Sequence, residues 1–304
     1  MKTVLISGAN GFIGNNLIRR LLKENIQIYA LIQPGDSPRE LLKSNPSISL
    51  VYCDLESENF FDINIPNDID IFYHLAWIGV APEERKNFDI QSRNINMLKN
   101  IFKLAVIKHI KKMLLPGSTN EYLYSGGLIN KDCIPTPRDD YGSVKVAVRY
   151  LAKQMAFDNG IDFVYVVLAG IYSEQRRDNN VITYTISKLL AGEKPSLTKL
   201  EQVWDYVHID DVAEALYLAG VKGKNGAFYA VGHGDNWPLY NYIEKIHQII
   251  NPSLPLGIGD VPYSFSELPS SCIDLKDITN DTGFIPKVSF EEGIRRVIDN
   301  WEII

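Results

Sequence analysis

The chain begins with the segment that decides its fold, Val4-Leu5-Ile6-Ser7-Gly8-Ala9-Asn10-Gly11-Phe12-Ile13-Gly14. Its first part is apolar, as in a buried strand, and an amphipathic run from Asn15 to Lys23 follows the glycines. A strand, a glycine turn and a helix in that order place backbone N–H groups and a helix N-terminus against a pyrophosphate. The alternative is a turn that only needs positive φ angles. Because of the flanking strand and helix we favour a nucleotide site, with candidate contacts from Gly8, Gly11, Phe12, Ile13 and Gly14.

Strand candidates alternate with helix candidates along most of the chain. Helices are expected at about residues 14–23, 91–106, 141–157, 181–191 and 211–219. This alternation predicts a mostly parallel, doubly wound sheet. The strand candidates are Thr3–Ser7, Gln27–Ile32, Ser49–Cys53, Ile69–Leu75, Lys112–Leu115, Phe163–Leu168 and Ala227–Val231.

The predicted fold class is therefore α/β, a Rossmann-type doubly wound parallel sheet with a smaller, interleaved C-terminal substrate lobe. No repeat or low-complexity tract divides the chain, so no linker between the two parts is expected. We assign residues 1–172 and 205–236 to the Rossmann domain, and residues 173–204 and 237–304 to the substrate lobe.

Composition limits the function classes. The 304 residues, 45% of them hydrophobic, are enough for a large core or a core plus a small lobe. The net charge is −6 and the basic residues are scattered, which argues against a nucleic-acid partner. Cys53, Cys133 and Cys272 have no metal-ligand spacing and form an odd set, so we expect a reducing, cytoplasmic location and no metal site. Neither a signal peptide nor a membrane span is expected.

Two further features carry chemistry. Tyr141 and Lys145 lie four residues apart, on one face of a predicted helix. A lysine ammonium beside a phenol lowers the pKa of the phenol, which makes Tyr141 a candidate acid or base near neutral pH. Ser118 follows a predicted strand, where a hydroxyl points into the ligand crevice of an open α/β sheet. Chance spacing on a helix and a turn-capping serine are the structural alternatives.

These motifs resemble those of the extended short-chain dehydrogenase/reductases that act on nucleotide sugars, and the resemblance covers nearly the whole chain. The glycine loop is similar to the family's cofactor loop, and Tyr141 with Lys145 matches its Tyr-x-x-x-Lys pair. Further matches are Cys53-Asp54-Leu55, Tyr73-His74-Leu75-Ala76, Arg93-Asn94-Ile95, Gly117-Ser118-x-x-Glu121-Tyr122, the segment from Trp204 to Ala213, and the C-terminal segment from Thr282 to Ile294.

The resemblance implies roles for particular residues. Ser118, Tyr141 and Lys145 would be catalytic. Besides the glycine loop, the cofactor would contact Asp54, Leu55, Leu75, Ala76, Tyr141 and Lys145. The substrate would contact Trp77, Asn94, Thr119 and Glu121, with Thr119 also a rival to Ser118 for the catalytic hydroxyl.

The end of the second strand bears on the cofactor. NAD sites place a carboxylate there, which accepts a hydrogen bond from the ribose 2′-OH. Here Ile32 is followed by Gln33 and Pro34, and the nearest carboxylate, Asp36, lies beyond a turn. We therefore favour NADP(H) over NAD(H). Arg39 is a candidate partner for the 2′-phosphate, and an arginine on a solvated helix face is the alternative.

The predicted chemistry is hydride transfer between a nicotinamide and a carbon of a nucleotide-linked sugar. The 4,6-dehydratases resemble this chain but carry an Asp-Glu pair after the strand hydroxyl, where this chain has Asn120-Glu121. An amide cannot protonate a leaving hydroxyl, which disfavours dehydration. We predict a reductase that uses NADPH on a 4-keto-6-deoxyhexose. An NAD-dependent 4-epimerase is the main alternative, and a non-catalytic cofactor-sensing protein is another.

Two positions leave the substrate's diphosphate without its usual partner. Trp204 stands where relatives usually have an arginine, and Ala169 where an arginine or asparagine is frequent. Arg176, Arg177 or Lys199 are substitutes, with surface solvation as the alternative. The family often forms homodimers, and we expect one here through an apolar seam on two helices, with the intrachain core as the alternative. The seam residues are Ile95, Leu98, Ile101, Phe102, Val144, Val148 and Leu151.

Overall fold

A seven-stranded parallel sheet forms the centre of the protein in the computed structural model, which describes residues 1–57, 63–175, 180–264 and 267–303. The strand order is β12-β7-β5-β4-β1-β2-β3. The strands are β1 (Thr3–Ser7), β2 (Gln27–Ile32), β3 (Ile48–Tyr52), β4 (Ile71–His74), β5 (Lys112–Ser118), β7 (Asp162–Leu168) and β12 (Ala227–Val231). The order reverses on the two sides of β1, so the carboxyl ends of β1 and β4 form the switch point where such sheets bind ligands.

Helices connect the strands and cover the sheet. They are α1 (Phe12–Leu21), α2 (Glu40–Ser44), α3 (Phe88–Ile107), α4 (Asp140–Asp158), α5 (Val181–Leu190), α6 (Ile209–Lys222), α7 (Leu239–Ile250), α8 (Lys276–Thr282) and α9 (Phe290–Asp299). Short 3₁₀ turns occur at Glu84–Lys86, Thr119–Glu121 and Trp301–Ile303. No helix in the described part of the chain is long and apolar enough to cross a membrane.

The predicted α/β fold with a doubly wound parallel sheet is confirmed. Three strands match their predicted bounds, and the largest revision is that β5 continues through Pro116 and Gly117 to Ser118. A proline lacks the N–H that a sheet ladder uses, but the β7 pairing continues past Pro116. The consequence is that Ser118 is the last residue of a central strand, paired with Leu168.

The residues that the structure describes form two hydrophobic cores. The larger one lies between the sheet and its helices. The smaller one joins α5, α7 and α9, with Tyr242 and Phe290 in edge-to-face contact at 4.7 Å between ring centroids. Ile273, Ile278 and Phe284 pack in the larger core although the predicted boundaries place them in the smaller lobe, so the C-terminal segment crosses between the two cores.

Short two-residue and three-residue strands build the rest of the smaller lobe and its junction with the sheet. Their pairs are β6 with β15, β8 with β11, β9 with β14 and β10 with β13. The bounds are β6 (Leu128–Ile129), β8 (Gly170–Tyr172), β9 (Ser196–Leu197), β10 (Val203–Trp204), β11 (Tyr206–His208), β13 (Trp237–Pro238), β14 (Gly257–Ile258) and β15 (Cys272–Ile273). Asp205, fully buried between β10 and β11, accepts hydrogen bonds from the N–H groups of His233 and Gly234.

The predicted dimer seam on α3 and α4 is wrong for most of its residues. Leu98, Ile101, Phe102, Val144 and Val148 are at most 3% exposed and belong to the larger core, because α3 and α4 pack on the sheet through these side chains. Of the predicted seam only Leu151 is well exposed, at 43%. The apolar side chains that α3 and α4 present outward are Phe88, Val106, Ile107, Tyr150, Leu151 and Phe157.

Candidate functional site

The glycine loop has no room for side chains. Gly8 has a φ of +67°, and a Cβ there would lie 2.8 Å from the amide nitrogen of Ala76. A Cβ on Gly14 would lie 2.2 Å from the carbonyl oxygen of Gly8. Gly11 is the N-cap of α1 in extended conformation, with no side-chain hydrogen bond to the helix. The loop is thus a backbone cradle that ends at the first turn of a helix.

This cradle fits a dinucleotide. Close packing of Gly8 and Gly14 brings the backbone of β1 and the start of α1 together, and the unshielded N-cap leaves the helix dipole facing outward. Helix α1 begins at Phe12, two residues before its predicted start, so Phe12 and Ile13 form its first turn.

The strand ends of β1 and β4 are joined by a buried hydrogen bond. Ser7 Oγ lies 2.7 Å from Nδ1 of His74, and both side chains are at most 4% exposed. The N–H of Ala76 donates to Ser7 Oγ, and that of Leu75 donates to the Ser7 carbonyl oxygen. Burial lowers the pKa of His74 to about 3, so its imidazole is neutral. Leu75 and Ala76 therefore lie directly beside Gly8.

Tyr141 and Ser118 meet in front of this edge of the sheet. Helix α4 begins at Asp140, capped by the Asp139 carboxylate on the N–H of Gly142 at 2.7 Å. A Cβ on Gly142 would lie 2.8 Å from the Asn120 carbonyl oxygen, so this glycine lets α4 approach the turn after β5. The Ser118 hydroxyl lies close enough to the Tyr141 phenol to lower its pKa. Thr119 is 5% exposed, and this interaction favours Ser118 over Thr119 as the hydroxyl partner of Tyr141.

Lys145 lies on the same helix, with its Nζ closer to Trp77 than to Tyr141. Its Nζ donates to the Pro116 carbonyl oxygen at 3.1 Å and lies 3.6 Å from the centroid of the Trp77 ring. The Tyr141 ring centroid is farther from Nζ, at 5.7 Å. Burial lowers the pKa of Lys145, and the charge of Glu121 opposes this shift.

The pKa of Tyr141 is raised, to about 12, which corrects the expectation of a lowered value. Burial is the largest cause, and the Ser118 side chain and the charge of Arg85 act in the opposite direction. The charges of Glu121 and Asp139 raise it further. Arg85 thus contributes a positive charge that favours the phenolate.

Glu121 is fully buried and supports Ser118 through a hydrogen bond from the Ser118 backbone. Its side chain is fully buried, and Oε1 accepts from the N–H of Ser118 at 2.7 Å and from the hydroxyl of Tyr165 at 2.9 Å. Oε2 has no hydrogen-bond partner among the described residues. Burial raises the pKa of this carboxyl group. The predicted substrate contact of Glu121 is untested, but its hydrogen bonds are those of a capping box for the Thr119–Glu121 turn.

Trp77 and Asn94 belong to one structure, the β4–α3 loop (residues 75–87). Trp77 packs edge-on against Tyr141, with 5.8 Å between ring centroids, and its Nε1 donates to Gln91. Asn94 is 1% exposed; its side-chain amide accepts a hydrogen bond from the N–H of Ile78 and donates one to the Ile78 carbonyl oxygen. Trp77 thus lines the crevice, while Asn94 fixes the loop that carries it. Direct contact of either residue with a substrate stays a prediction.

Arg85 is the residue at the site that the sequence analysis missed. It lies on the 3₁₀ turn within the β4–α3 loop, with its guanidinium carbon 5.2 Å from the centroid of the Tyr141 ring. In the sequence it belongs to the charged run Glu83-Glu84-Arg85-Lys86, which is typical of a solvated loop. Only the path of the loop shows that this cation reaches the phenol.

Arg39 lies beside the glycine loop. Its Nε donates to the carbonyl oxygen of Asn10 at 3.1 Å, and its N–H donates to Asn10 Oδ1 at 2.9 Å. Gln33, the first residue after β2, is exposed. The carboxyl end of β2 and the glycine loop are thus flanked by an amide and a guanidinium.

The remaining candidates are spread around this edge. Asp54 and Leu55 follow the edge strand β3, and Leu55 packs against the larger core. Trp204 is half-buried and pairs with Trp237. Lys199 is exposed, while Arg176 and Arg177 lie outside the described residues.

Comparison with known proteins places the chain in a family. The family model described as "NAD dependent epimerase/dehydratase family" matches residues 4–232. The chain is 25% identical over 322 residues to UDP-N-acetyl-alpha-D-glucosaminuronate decarboxylase of Bacillus cytotoxicus, covering 98% of this chain and 97% of the relative. It is 24% identical over 321 residues to dTDP-4-dehydro-6-deoxyglucose reductase of Escherichia coli, covering 97% and 96%.

Solved structures share the fold. UDP-N-acetylglucosamine 4-epimerase from Methanobrevibacter ruminantium, in complex with UDP-N-acetylmuramic acid, matches with a TM-score of 0.85 at 20% identity, covering 99% of this chain and 98% of that one. UDP-glucose 4-epimerase of Thermus thermophilus, in complex with NAD, matches with a TM-score of 0.81 at 19% identity and 99% coverage of both chains.

The family model and the curated relatives show an enzyme of the short-chain dehydrogenase/reductase type, and the parallel sheet gives it a Rossmann fold. The chain belongs to the NAD dependent epimerase/dehydratase family.

Proposed function

We propose that this enzyme reduces the 4-keto group of a nucleotide-linked 6-deoxyhexose with NADPH. The observation that carries the proposal is the placement of Ser118, at the end of β5, next to Tyr141, in the first turn of α4, beside the glycine cradle. The similarity to the Escherichia coli reductase over nearly the whole chain supports this reaction.

Different residues would bind the cofactor, hold the carbonyl group and supply the proton. The glycine loop and the first turn of α1 would hold the pyrophosphate of the cofactor, with Leu75 and Ala76 beside it. The nicotinamide, when bound, supplies the hydride. Ser118 would hold the carbonyl oxygen by a hydrogen bond, and Tyr141 would donate its phenolic proton to that oxygen as the hydroxyl forms. Lys145, buried next to Trp77, would anchor the cofactor side of the crevice.

Dehydration is disfavoured by the two residues Asn120 and Glu121 in the turn after Ser118. A 4,6-dehydratase needs a group that protonates the leaving hydroxyl, and Asn120 is an amide. The neighbouring Glu121 is fully buried and hydrogen-bonded to Ser118 and Tyr165. Its carboxyl group is therefore already held by the backbone N–H of Ser118 and the hydroxyl of Tyr165.

Arg39 supports NADP(H) as the cofactor. The guanidinium is held at the glycine loop by its Nε hydrogen bond to Asn10, which leaves the rest of the planar group for a phosphate. No carboxylate at the end of β2 would repel a 2′-phosphate, since Gln33 stands there.

An NAD-dependent nucleotide-sugar 4-epimerase is the second candidate. Its support is the structural match to 4-epimerases, one of them solved with NAD. The same Ser118, Tyr141 and Lys145 would serve it, because epimerisation removes and returns hydride at one carbon. The two candidates differ in the cofactor: an epimerase keeps NAD bound, while a reductase exchanges NADPH.

The test is the identity of any cofactor released from purified protein, with parallel titrations of NADPH and NADH. We expect little retained NAD, tighter binding of NADPH, and oxidation of NADPH when nucleotide-linked 4-keto sugars are supplied. Tightly held NAD, with interconversion of nucleotide sugars and no net oxidation, would establish the epimerase instead. Failure to bind either cofactor would contradict both.

We also propose a homodimer in the cytoplasm, formed through the outer faces of α3 and α4. The exposed Val106, Ile107, Tyr150, Leu151 and Phe157 support this interface. Sedimentation equilibrium should give twice the chain mass, and Phe157→Glu should shift it toward the monomer. A wild-type monomer at micromolar concentration would contradict the proposal.

A further inference from the structure

The β4–α3 loop is fixed to helix α3 by two buried amides. Gln91 is fully buried, accepts a hydrogen bond from Trp77 Nε1 at 3.0 Å, and donates one to the carbonyl oxygen of Gly79 at 2.6 Å. Asn94 is hydrogen-bonded to both backbone groups of Ile78. Buried amides with several partners hold a backbone in one conformation, because releasing them leaves polar groups unsatisfied. The loop is therefore a rigid support for the side chains that it carries.

Arg85 is held by this loop with part of its guanidinium unused. Its Nε donates to the Val80 carbonyl oxygen at 3.1 Å, which orients the planar group. Among the described residues, its two terminal nitrogens make no hydrogen bond, and no carboxylate lies within ion-pair distance of them. Because Arg85 is half-buried, these N–H groups are partly removed from water without a protein partner. A ligand oxygen would supply the missing acceptor.

The unused N–H groups lie beside the reacting end of the site. The guanidinium carbon of Arg85 is 5.2 Å from the centroid of the Tyr141 ring. In the proposed function, Tyr141 and Ser118, at the end of β5, bind the 4-keto oxygen of the sugar. The nucleotide is attached at carbon 1, which lies opposite carbon 4 on the sugar ring. Arg85 is therefore placed nearer to the neighbours of the keto group than to the nucleotide.

The chemistry of the sugar indicates which of these neighbours accepts a hydrogen bond from Arg85. In a 4-keto-6-deoxyhexose the carbonyl carbon is flanked by carbon 3, which carries a hydroxyl group, and by carbon 5, which carries the methyl group and the ring oxygen. A methyl group accepts no hydrogen bond, and the ring oxygen of an acetal is a weaker acceptor than a hydroxyl. A guanidinium donates charge-assisted hydrogen bonds, which are about twice as strong as neutral ones. The 3-hydroxyl group is therefore the best partner for Arg85.

We propose that Arg85 is a specificity-determining residue that binds the 3-hydroxyl group of the sugar, so that the enzyme prefers nucleotide-linked hexoses with an oxygen on carbon 3. The inference rests on the proposed function in one respect, that the keto oxygen of a nucleotide-linked 4-keto sugar lies at Ser118 and Tyr141. A sugar held at both oxygens cannot turn about its carbonyl group. Arg85 would thereby also fix which face of carbon 4 points toward the cofactor.

The test measures binding without turnover, with the enzyme saturated by NADP⁺ or NAD⁺, because an oxidised cofactor cannot reduce a keto sugar. Calorimetry gives the Kd of 4-keto-6-deoxyglucose linked to dTDP or to UDP, and of the 3-deoxy analogue of each. In the wild type we expect the 3-deoxy analogue to bind about tenfold to a hundredfold more weakly, the range for a hydrogen bond to a charged group. In Arg85→Gln the hydroxylated sugar should lose a similar factor, so that both sugars bind about equally.

Two further variants and the cofactor affinity serve as controls. Arg85→Lys should keep part of the preference for the 3-hydroxyl group. Lys86→Gln, which removes an exposed charge from the same loop, should keep all of it. An unchanged Kd for the cofactor in Arg85→Gln would show that the site is folded.

The outcomes separate this inference from the proposed reaction. A preference for the 3-hydroxyl group that survives in Arg85→Gln, with or without a loss of cofactor affinity, would overturn the role of Arg85. Loss of the preference in Arg85→Gln, without oxidation of NADPH by the wild type, would point to a wrong reaction rather than a wrong role for Arg85. Binding of none of these sugars to the wild type would contradict both.

Discussion

The two sides of the candidate site are built from different material. On the cofactor side, contacts come from backbone that one short segment, Gly8 to Gly14, folds on itself. On the catalytic side, Arg85, Ser118 and Tyr141 come from three separate parts of the chain. The cofactor side requires glycines, because a side chain at Gly8 or Gly14 would collide with the backbone. The catalytic side requires particular side chains, whose surroundings are held by buried residues such as Gln91 and Glu121. Substitutions should therefore affect binding on one side and turnover on the other.

The largest effect is expected from Tyr141→Phe. Loss of the proton donor should reduce turnover by about 10²–10⁴-fold. Cofactor binding should survive, because the glycine cradle is untouched. Steady-state rates with a 4-keto sugar and a titration of NADPH fluorescence measure the two quantities. Tyr150→Phe, an exposed tyrosine of the same helix, is the control and should keep normal rates. Full activity of Tyr141→Phe would contradict the assignment of proton donation to the catalytic side of the site.

Gly14→Ala tests the other side. Its new Cβ would lie 2.2 Å from the Gly8 carbonyl oxygen and 2.9 Å from the Ala9 Cα, so the cradle has to open. Overpacking of this kind costs about 1–3 kcal/mol of folding free energy, and we expect cofactor affinity to fall at least tenfold. Urea unfolding and cofactor titration check both. The control is Gly127→Ala, where the new Cβ meets open space, and it should change neither the stability nor the cofactor affinity. Unaltered cofactor binding by Gly14→Ala would contradict the role of the glycine loop as the cofactor's binding site.

His74 links the ends of β1 and β4 through its hydrogen bond with Ser7. It should make the free energy of unfolding depend on pH. Its pKa is about 3 in the folded protein, below the ordinary 6.5, so below pH 6.5 the unfolded chain binds a proton that the folded chain does not. Stability therefore falls as the pH falls from 6.5 towards 3. At pH 5 this amounts to about 2 kcal/mol.

Urea unfolding at pH 8 and pH 5 measures that loss. His74→Gln should lose less stability than the wild type on acidification, whatever its stability at pH 8. The control is the exposed His109, changed to Asn because its φ is +51° and asparagine tolerates that region. An identical acid-induced loss in His74→Gln and the wild type would show that His74 is not the source.

The smallest effect is expected from Arg39→Gln, which tests whether Arg39 contacts the 2′-phosphate of NADPH. Removing one charge-assisted contact at an exposed position should weaken NADPH binding about tenfold and leave NADH binding unchanged. Lys43→Gln removes a nearby exposed charge from α2 and should alter neither Kd. Equal weakening of both cofactors by Arg39→Gln would assign Arg39 to the loop backbone and remove the support for NADP(H).

The predictable parts of the fold share a physical property. Strands β1, β2 and β12 were located with their bounds because short apolar runs between turn residues have a local signature. The dimer seam failed because an apolar helix face looks the same whether it covers a sheet or a second chain. Leu98 and Val148 are buried against their own sheet, and only three-dimensional packing shows this.

The sequence by itself determined the class of enzyme and the glycine turn from Gly8 to Gly14, and it predicted the set Ser118, Tyr141 and Lys145, because each is a local pattern with a fixed spacing. The tertiary structure decided which groups surround these residues. It placed Lys145 over Trp77, turned Glu121 toward Ser118, and brought Arg85 to Tyr141. Charge effects act through space at distances of a few ångströms, and residues that far apart in the chain meet only once the sheet and its loops are packed.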